Sequence, residues 1–179
     1  MNHETAKEIE IAIAQWFGYR EHVIVPNVSW GFLTYEADLL VLSSSGYAWE
    51  VEIKISRGDL VRDKHKRHNH ESRKVRQLWF AIPEKLTNCI DHVPERAGVL
   101  VVSTDGKVRE LRKPTANEFA IKLTDAQQFQ IARLGAMRVW DLKKRISKSC
   151  NAVQQTLAAE LLTGKASESI SEQSQPAEA

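Results

Sequence analysis

The sequence predicts an α/β or α+β sandwich built on a mixed β-sheet, and three observations lead there. "YAWEVEIKIS", residues 47–56, alternates strictly, with Trp49, Val51, Ile53 and Ile55 on one side and Glu50, Glu52, Lys54 and Ser56 on the other. "LWFAIP" and "AGVLVVST" are short, continuously apolar runs, as expected of strands covered on both faces. Helical periodicity brackets these strands at both ends of the chain, giving the order helix, three strands, polar segment, two or three strands, helices.

The first helix is read from "ETAKEIEIAIAQWFG". Ala6, Ile9, Ile13, Trp16 and Phe17 recur at helical spacing and Gly18 stands where a C-terminal cap belongs. Glu10 falls on the apolar side of this helix. "EHVIVPNVSWGF" is a strand interrupted by Pro26, which places it at an edge or a bend. "YEADLLVLSSSGYAWEVEIKIS" reads as a hairpin around "SSSG". The next segment has no strongly apolar residue from Arg62 to Lys74, so it is a solvated helix, a loop or a surface that meets something charged. "STDGKVRELRKP" turns at Asp105-Gly106 into a further strand.

"TDAQQFQIARLGAMRVWDLKKRI" is a helix with a Thr124/Gln127 capping box and an apolar stripe from Phe129, Ala132, Val139, Trp140 and Leu142. A shorter helix follows over "NAVQQTLAAELL", closed by Gly164. The last fifteen residues have almost nothing to bury, which predicts a disordered tail. The expected organisation is one domain over residues 1–148, a C-terminal helix over 149–164 and a tail over 165–179.

With 179 residues, 42% of them apolar and 27% charged, the composition is that of a globular domain with its own core. No apolar run approaches the length of a bilayer span and no charged-then-apolar leader opens the chain, so no membrane partner is expected and the default compartment is the cytoplasm. Cys89 and Cys150 are too few and too isolated for a disulfide framework or a zinc knuckle. The net charge of +2 is unevenly spread: nine Lys and Arg stand against three acids between Lys54 and Arg76.

The residues that carry chemistry gather around the hairpin. Paired strands would set Asp38 beside the end of the Glu50–Lys54 face. An Asp, an acid two residues before a Lys on the next strand, and a basic segment after it suit a hard cation such as Mg²⁺ and a phosphate under in-line attack. Lys54, with an ordinary pKa of about 10.4, is first a positioning and charge-stabilising group and only secondarily a base. The strand pattern alone fits a plain solvated face at least as well.

"EADLLVL", "EVEIKIS" and "SRGDLVRD", with "QLWFAIP", "PERAGVLVV" and "FQIARLGAMRV" in the same order, resemble the PD-(D/E)XK nuclease superfamily, more narrowly its MmcB-related DNA-repair branch and similar phage-borne proteins. The likeness runs from the first helix to about residue 145. It implies a restriction-endonuclease-like core and a Mg²⁺- or Mn²⁺-dependent deoxyribonuclease, an endonuclease before an exonuclease, in DNA repair or phage DNA metabolism. By the resemblance Asp38 is the motif Asp, Glu52 the second acid and Lys54 the Lys. The Ile53 carbonyl supplies a further metal oxygen, and Glu10 is the added acid from the first helix. Ala37 stands where the motif has Pro. Glu50 shares the face with Glu52 and either helps the site or meets a neighbouring cation.

The basic segment suits phosphate neutralisation without sequence reading, which nominates Lys64, Lys66, Arg67, Arg73, Lys74 and Arg76. Arg57, in the recurrent "SRxD" signature, is a further phosphate contact, and Asp59 is left as structural. His65, His68 and His70 do not converge on one helix face, so a zinc site is the weaker reading. Trp16, Trp49, Trp79 and Trp140 are read as core, and Trp30 as the one indole to watch for stacking on bases. Two other functions stay open: an inactive nucleic-acid-binding protein of the same fold, and a protein-interaction module using the late helices. Homodimerisation is also open.

Overall fold

The computed structural model describes residues 5–29, 32–33, 35–63 and 72–171, with side chains described up to residue 155. The chain forms two compact units, Met1–Gly135 and Ala136–Ala179.

The first unit is built on a six-stranded sheet: β1 (Val23–Val28), β2 (Ala37–Leu42), β3 (Ala48–Ile53), β4 (Val75–Pro83), β5 (Gly98–Val102) and β6 (Val108–Arg112), lying side by side in chain order. β1–β2, β2–β3 and β5–β6 are antiparallel, whereas β3–β4 and β4–β5 are parallel. The predicted mixed sheet is therefore present. β1 takes an edge, where Pro26 removes no bond that the interior of the sheet needs. The parallel pairs need crossovers. α2 (Arg57–Asp63) begins the one between β3 and β4, and a 3-10 helix (Glu84–His92), absent from the element order expected from sequence, occupies the one between β4 and β5.

α1 (Ala6–Trp16) opens on a capping box, with Thr5 and Glu8 exchanging side-chain-to-backbone bonds, and Gly18 takes the left-handed conformation just past its end. Its Ile9, Ala12, Ile13 and Phe17 pack on one face of the sheet with Leu39, Val41, Val51, Trp79 and Leu100. On the other face, Leu60 of α2 and Leu86 and Val93 around the 3-10 helix cover Leu78, Phe80, Ile82, Val99 and Val101. A third cluster joins Val25, Leu40, Leu42 and Val75 to Leu123 and Ile131.

α3 (Asp125–Ser171) is one helix where the sequence suggested two, and it runs through Gly164 into the segment expected to be disordered. Its Thr124/Gln127 capping box is present, with bonds of 3.0 and 3.3 Å. Its buried contact is made by Ile131 with Leu134, not by the expected stripe: Phe129, Ala132, Val139, Trp140 and Leu142 are all exposed. The described residues of this helix beyond Gly135 are all exposed, so helical spacing of apolar residues there does not report burial. Among the described residues no helix is long and apolar enough to cross a membrane.

Candidate active site

β3 is a central strand, and its position settles what the polar face of "EVEIK" meets. Leu40 pairs with Glu50, and on the other side Leu78 pairs with Glu50 and Phe80 with Glu52. Leu78 and Phe80 lie under α2 and the 3-10 helix, Leu40 lies in the cluster with Leu123 and Ile131, and between them Glu50 is 0% and Glu52 1% exposed. The solvated-face alternative does not survive this burial. Carboxylates are almost never buried this far without a partner, and each has one. The Tyr35 hydroxyl donates to Glu50 Oε2 at 2.6 Å. Lys54 Nζ donates to Glu52 Oε2 at 2.5 Å and pairs with Asp63 Oδ1 at 3.0 Å.

Asp63 reaches the layer because it lies three residues after Leu60 on the buried side of α2. α2 starts after Ser56, whose hydroxyl caps it. The Asp59 N–H donates to Ser56 Oγ at 3.2 Å, and Ser56 Oγ donates to Asp59 Oδ2 at 2.8 Å. Asp59 also pairs with Arg62. The "SRxD" signature is thus the N-terminus of the helix that delivers Asp63, which gives Asp59 a structural role.

Burial pushes the Lys54 ammonium toward neutrality, but the Glu52 carboxylate, with Asp63 behind it, outweighs that and holds its pKa above the ordinary lysine value. Lys54 stays charged at neutral pH, which removes it as a base in this arrangement.

Asp38 connects this layer to α1. The β2–β3 register runs from Leu42↔Ala48 to Leu39↔Val51, which sets Asp38 opposite Glu52. There Asp38 Oδ2 accepts the Ile53 N–H at 2.7 Å. Glu10, half-buried on α1, is held above its usual pKa first by burial and then by the charge of Asp38, with Lys7 opposing. Glu10 and Asp38 are therefore electrostatic neighbours. Two repelling carboxylates that are only partly buried form a place where a cation is favoured. Among the described residues no three His, Cys, Asp or Glu side chains converge as a metal cluster. Mg²⁺ does not need three; one or two carboxylates, with water and backbone oxygen completing the shell, suit it.

The basic residues divide. Lys64, Lys66 and Arg67, with His65, His68 and His70, lie outside the described residues, as does Trp30. Arg57 is exposed and lines an open cavity of about 470 Å³ with Asn88, Cys89, Asp91 and His92. Lys74 Nζ donates to the Phe32 carbonyl at 2.6 Å and lies over the Phe32 ring, and Arg76 stacks on Tyr47 at 4.3 Å. They tie the start of β4 to the segments that precede β2 and β3. Arg73 is exposed, its Nε donating to the Phe119 carbonyl at 3.4 Å. Trp79 is core and Trp49 half-buried, while Trp16, on its edge, still meets Phe17 and Trp79. Trp140, read as core, is 61% exposed.

Tyr35 and Asp63, the partners that complete the buried layer, were not singled out from sequence. Asp63 had a usable signal, its i+3 spacing from Leu60. Tyr35 had none, since it sits in an irregular segment before β2.

No family model matches the chain, and no curated protein sequence does. Among solved structures the chain is similar to SPO1766, a protein of unknown function from Silicibacter pomeroyi, at 16% identity and a TM-score of 0.59 over 82% of this chain and 93% of that one. The likeness is one of fold, and it supports the α+β architecture alone.

Proposed function

We propose that the protein is a Mg²⁺- or Mn²⁺-dependent nuclease that hydrolyses DNA phosphodiester bonds. The observation that carries this reading is the Asp38 carboxylate resting on the amide of Ile53, the residue between Glu52 and Lys54, with Glu10 close by on α1. An Asp, an acid-x-Lys strand and a helix acid are thus gathered at one end of β2 and β3, as the resemblance to PD-(D/E)XK nucleases implies.

Asp38, Glu10 and the Ile53 carbonyl are the groups that would hold the cation, with Glu52 adjoining. When bound, the cation supplies neutralisation of phosphate charge and a more acidic water. The residues of the chain do the rest. Lys54, fixed and kept charged by Glu52 and Asp63, would supply positive charge beside the phosphate. Because Lys54 does not deprotonate, the proton of the attacking water goes to a carboxylate.

A second reading has its own observation. Lys54, Glu52 and Asp63 already close a buried ion-pair set, an arrangement that also suits a protein that keeps the fold and binds nucleic acid without cutting it. The two readings part in a cleavage assay on plasmid, single-stranded and branched DNA with Mg²⁺ or Mn²⁺. The nuclease reading expects metal-dependent cleavage that falls at least a hundredfold in Asp38→Asn and in Lys54→Ala, both verified as folded. Salt-sensitive DNA retention without cleavage by the wild type selects the second reading. Cleavage that persists in Asp38→Asn removes the assignment of the site.

A further inference from the structure

The segment between β6 and α3 has no regular structure, yet it is tied down along its length. Thr115 N–H donates to the Arg96 carbonyl, Asn117 N–H to Arg76 and Ile121 N–H to Arg73, each at 2.8 Å. Asn117 Nδ2 also donates to the carbonyls of Ser72 and Val75, and its Oδ1 accepts the Phe119 N–H at 3.0 Å. A loop held this firmly nevertheless presents Phe119 with 75% of its surface in solvent. Beside it lies an open cavity of about 610 Å³, lined by Arg73, Arg96, Thr115, Asn117 and Phe119 among others.

Two guanidiniums and an aromatic face on one cavity ask for a particular ligand. An inorganic anion or a small carboxylate would meet the arginines and leave the ring idle. A purely apolar molecule would cover the ring and desolvate the exposed Arg73 for nothing. A planar base carrying a phosphate meets both, since every base has a face to stack and guanidinium forks match phosphate oxygens. The volume lies within the range of small-molecule sites, roughly 300–1,000 Å³. We infer that this cavity is a nucleotide-binding site, with the phosphate toward Arg73 and Arg96 and the base on Phe119. The nucleotide is either free or a unit of a single strand. The inference does not rest on the nuclease reading, because it uses none of Glu10, Asp38, Glu52 or Lys54.

Calorimetric titration of the full chain in EDTA, which keeps cleavage out of the measurement, tests it with four probes: thymidine 5′-monophosphate, thymidine, inorganic phosphate and a twelve-residue oligothymidylate. Saturable binding of the monophosphate is expected, with thymidine and phosphate each at least tenfold weaker. Phe119→Ala should weaken the monophosphate about tenfold and Phe119→Tyr should restore it. Arg73→Gln should weaken the monophosphate but not thymidine. Both side chains are exposed, so these variants fold. An oligonucleotide that binds much more tightly than the monophosphate, with the same sensitivity to Phe119→Ala, assigns the site to single strands. Equal affinity assigns it to the free nucleotide. Phosphate binding as tightly as the nucleotide, no saturation by the monophosphate or the oligonucleotide, or affinities unchanged in Phe119→Ala and Arg73→Gln would overturn the inference.

Discussion

Lys54 holds two carboxylates in a layer that water scarcely reaches, with side chains 9%, 1% and 3% exposed for Lys54, Glu52 and Asp63. Removing one member of such a set leaves charge without its counter-ion, which costs about 3–5 kcal/mol. Lys54→Met should therefore lower the urea midpoint by that equivalent whether or not the protein is an enzyme; an unchanged midpoint would mean that the pair is not formed in solution. Tyr35→Phe takes a donor from buried Glu50, a bond to a charged group worth roughly 1.5–3 kcal/mol, and should show a smaller loss in the same measurement. Glu10 makes the opposite case. Its folded pKa lies above the ordinary 4.5, so the native state binds more protons than the unfolded chain across that window. Its contribution is most favourable at low pH, and stability declines as pH rises through the ordinary value toward the raised one. Asp38→Asn should bring the Glu10 titration down part of the way, burial being the larger cause, and Mg²⁺ added to the wild type should do the same. Carboxyl carbon NMR reads both, and a Glu10 titration indifferent to Asp38→Asn would deny that the two acids are neighbours. Alternation in "EVEIK" pointed to Glu50, Glu52 and Lys54 because a period of two needs no tertiary knowledge. It did not reveal that the polar face is buried, since that depends on α2 folding back over it, and Tyr35 and Asp63 enter through the same long-range packing.

At the level of elements, local rules worked where the chain makes its own decisions. The hairpin of β2 and β3, the capping boxes of α1 and α3 and the edge position of the Pro26 strand all follow from short-range chemistry. The 3-10 helix and the buried side of α3 do not, because Leu86, Ile131 and Leu134 are selected by the sheet surface they meet. Close approach between strands gives a sharper test. Gly98 is paired with Trp79 in the parallel β4–β5 ladder, and a Cβ at that position would come within 3.0 Å of three atoms of the indole. Trp79 is itself wedged against Trp16 and Phe17, so the ring has nowhere to retreat. Gly98→Ala should cost about 1–3 kcal/mol by overpacking, visible as a lower thermal midpoint, whereas Gly106→Ala, open to solvent at a left-handed turn residue, should report only backbone strain. Equal midpoints for Gly98→Ala and the wild type would place the indole elsewhere.

For the molecule as a whole, the mixed sheet decides where polar chemistry sits. Antiparallel β2–β3 carries Asp38 to the end of a strand whose other neighbour, β4, is parallel, and the crossover this demands lays α2 across Glu52 and Lys54. Burial of those groups is thus a consequence of topology and not of local sequence. The same view separates what folds from what is carried. All three apolar clusters, both faces of the sheet and the candidate site belong to residues before Gly135, while every described side chain from Ala136 to Gln155 is exposed. Exposed side chains contribute little to folding, usually within about 0.5 kcal/mol each. A chain ending after Gly135 should therefore retain its sheet by circular dichroism and a cooperative thermal transition within a few degrees of the full-length protein. Loss of that cooperativity would show that the helix beyond Gly135 takes part in the core, and Met137, Val139, Trp140, Leu142 and Ile146 would then owe their conspicuous apolarity to folding and not to exposure.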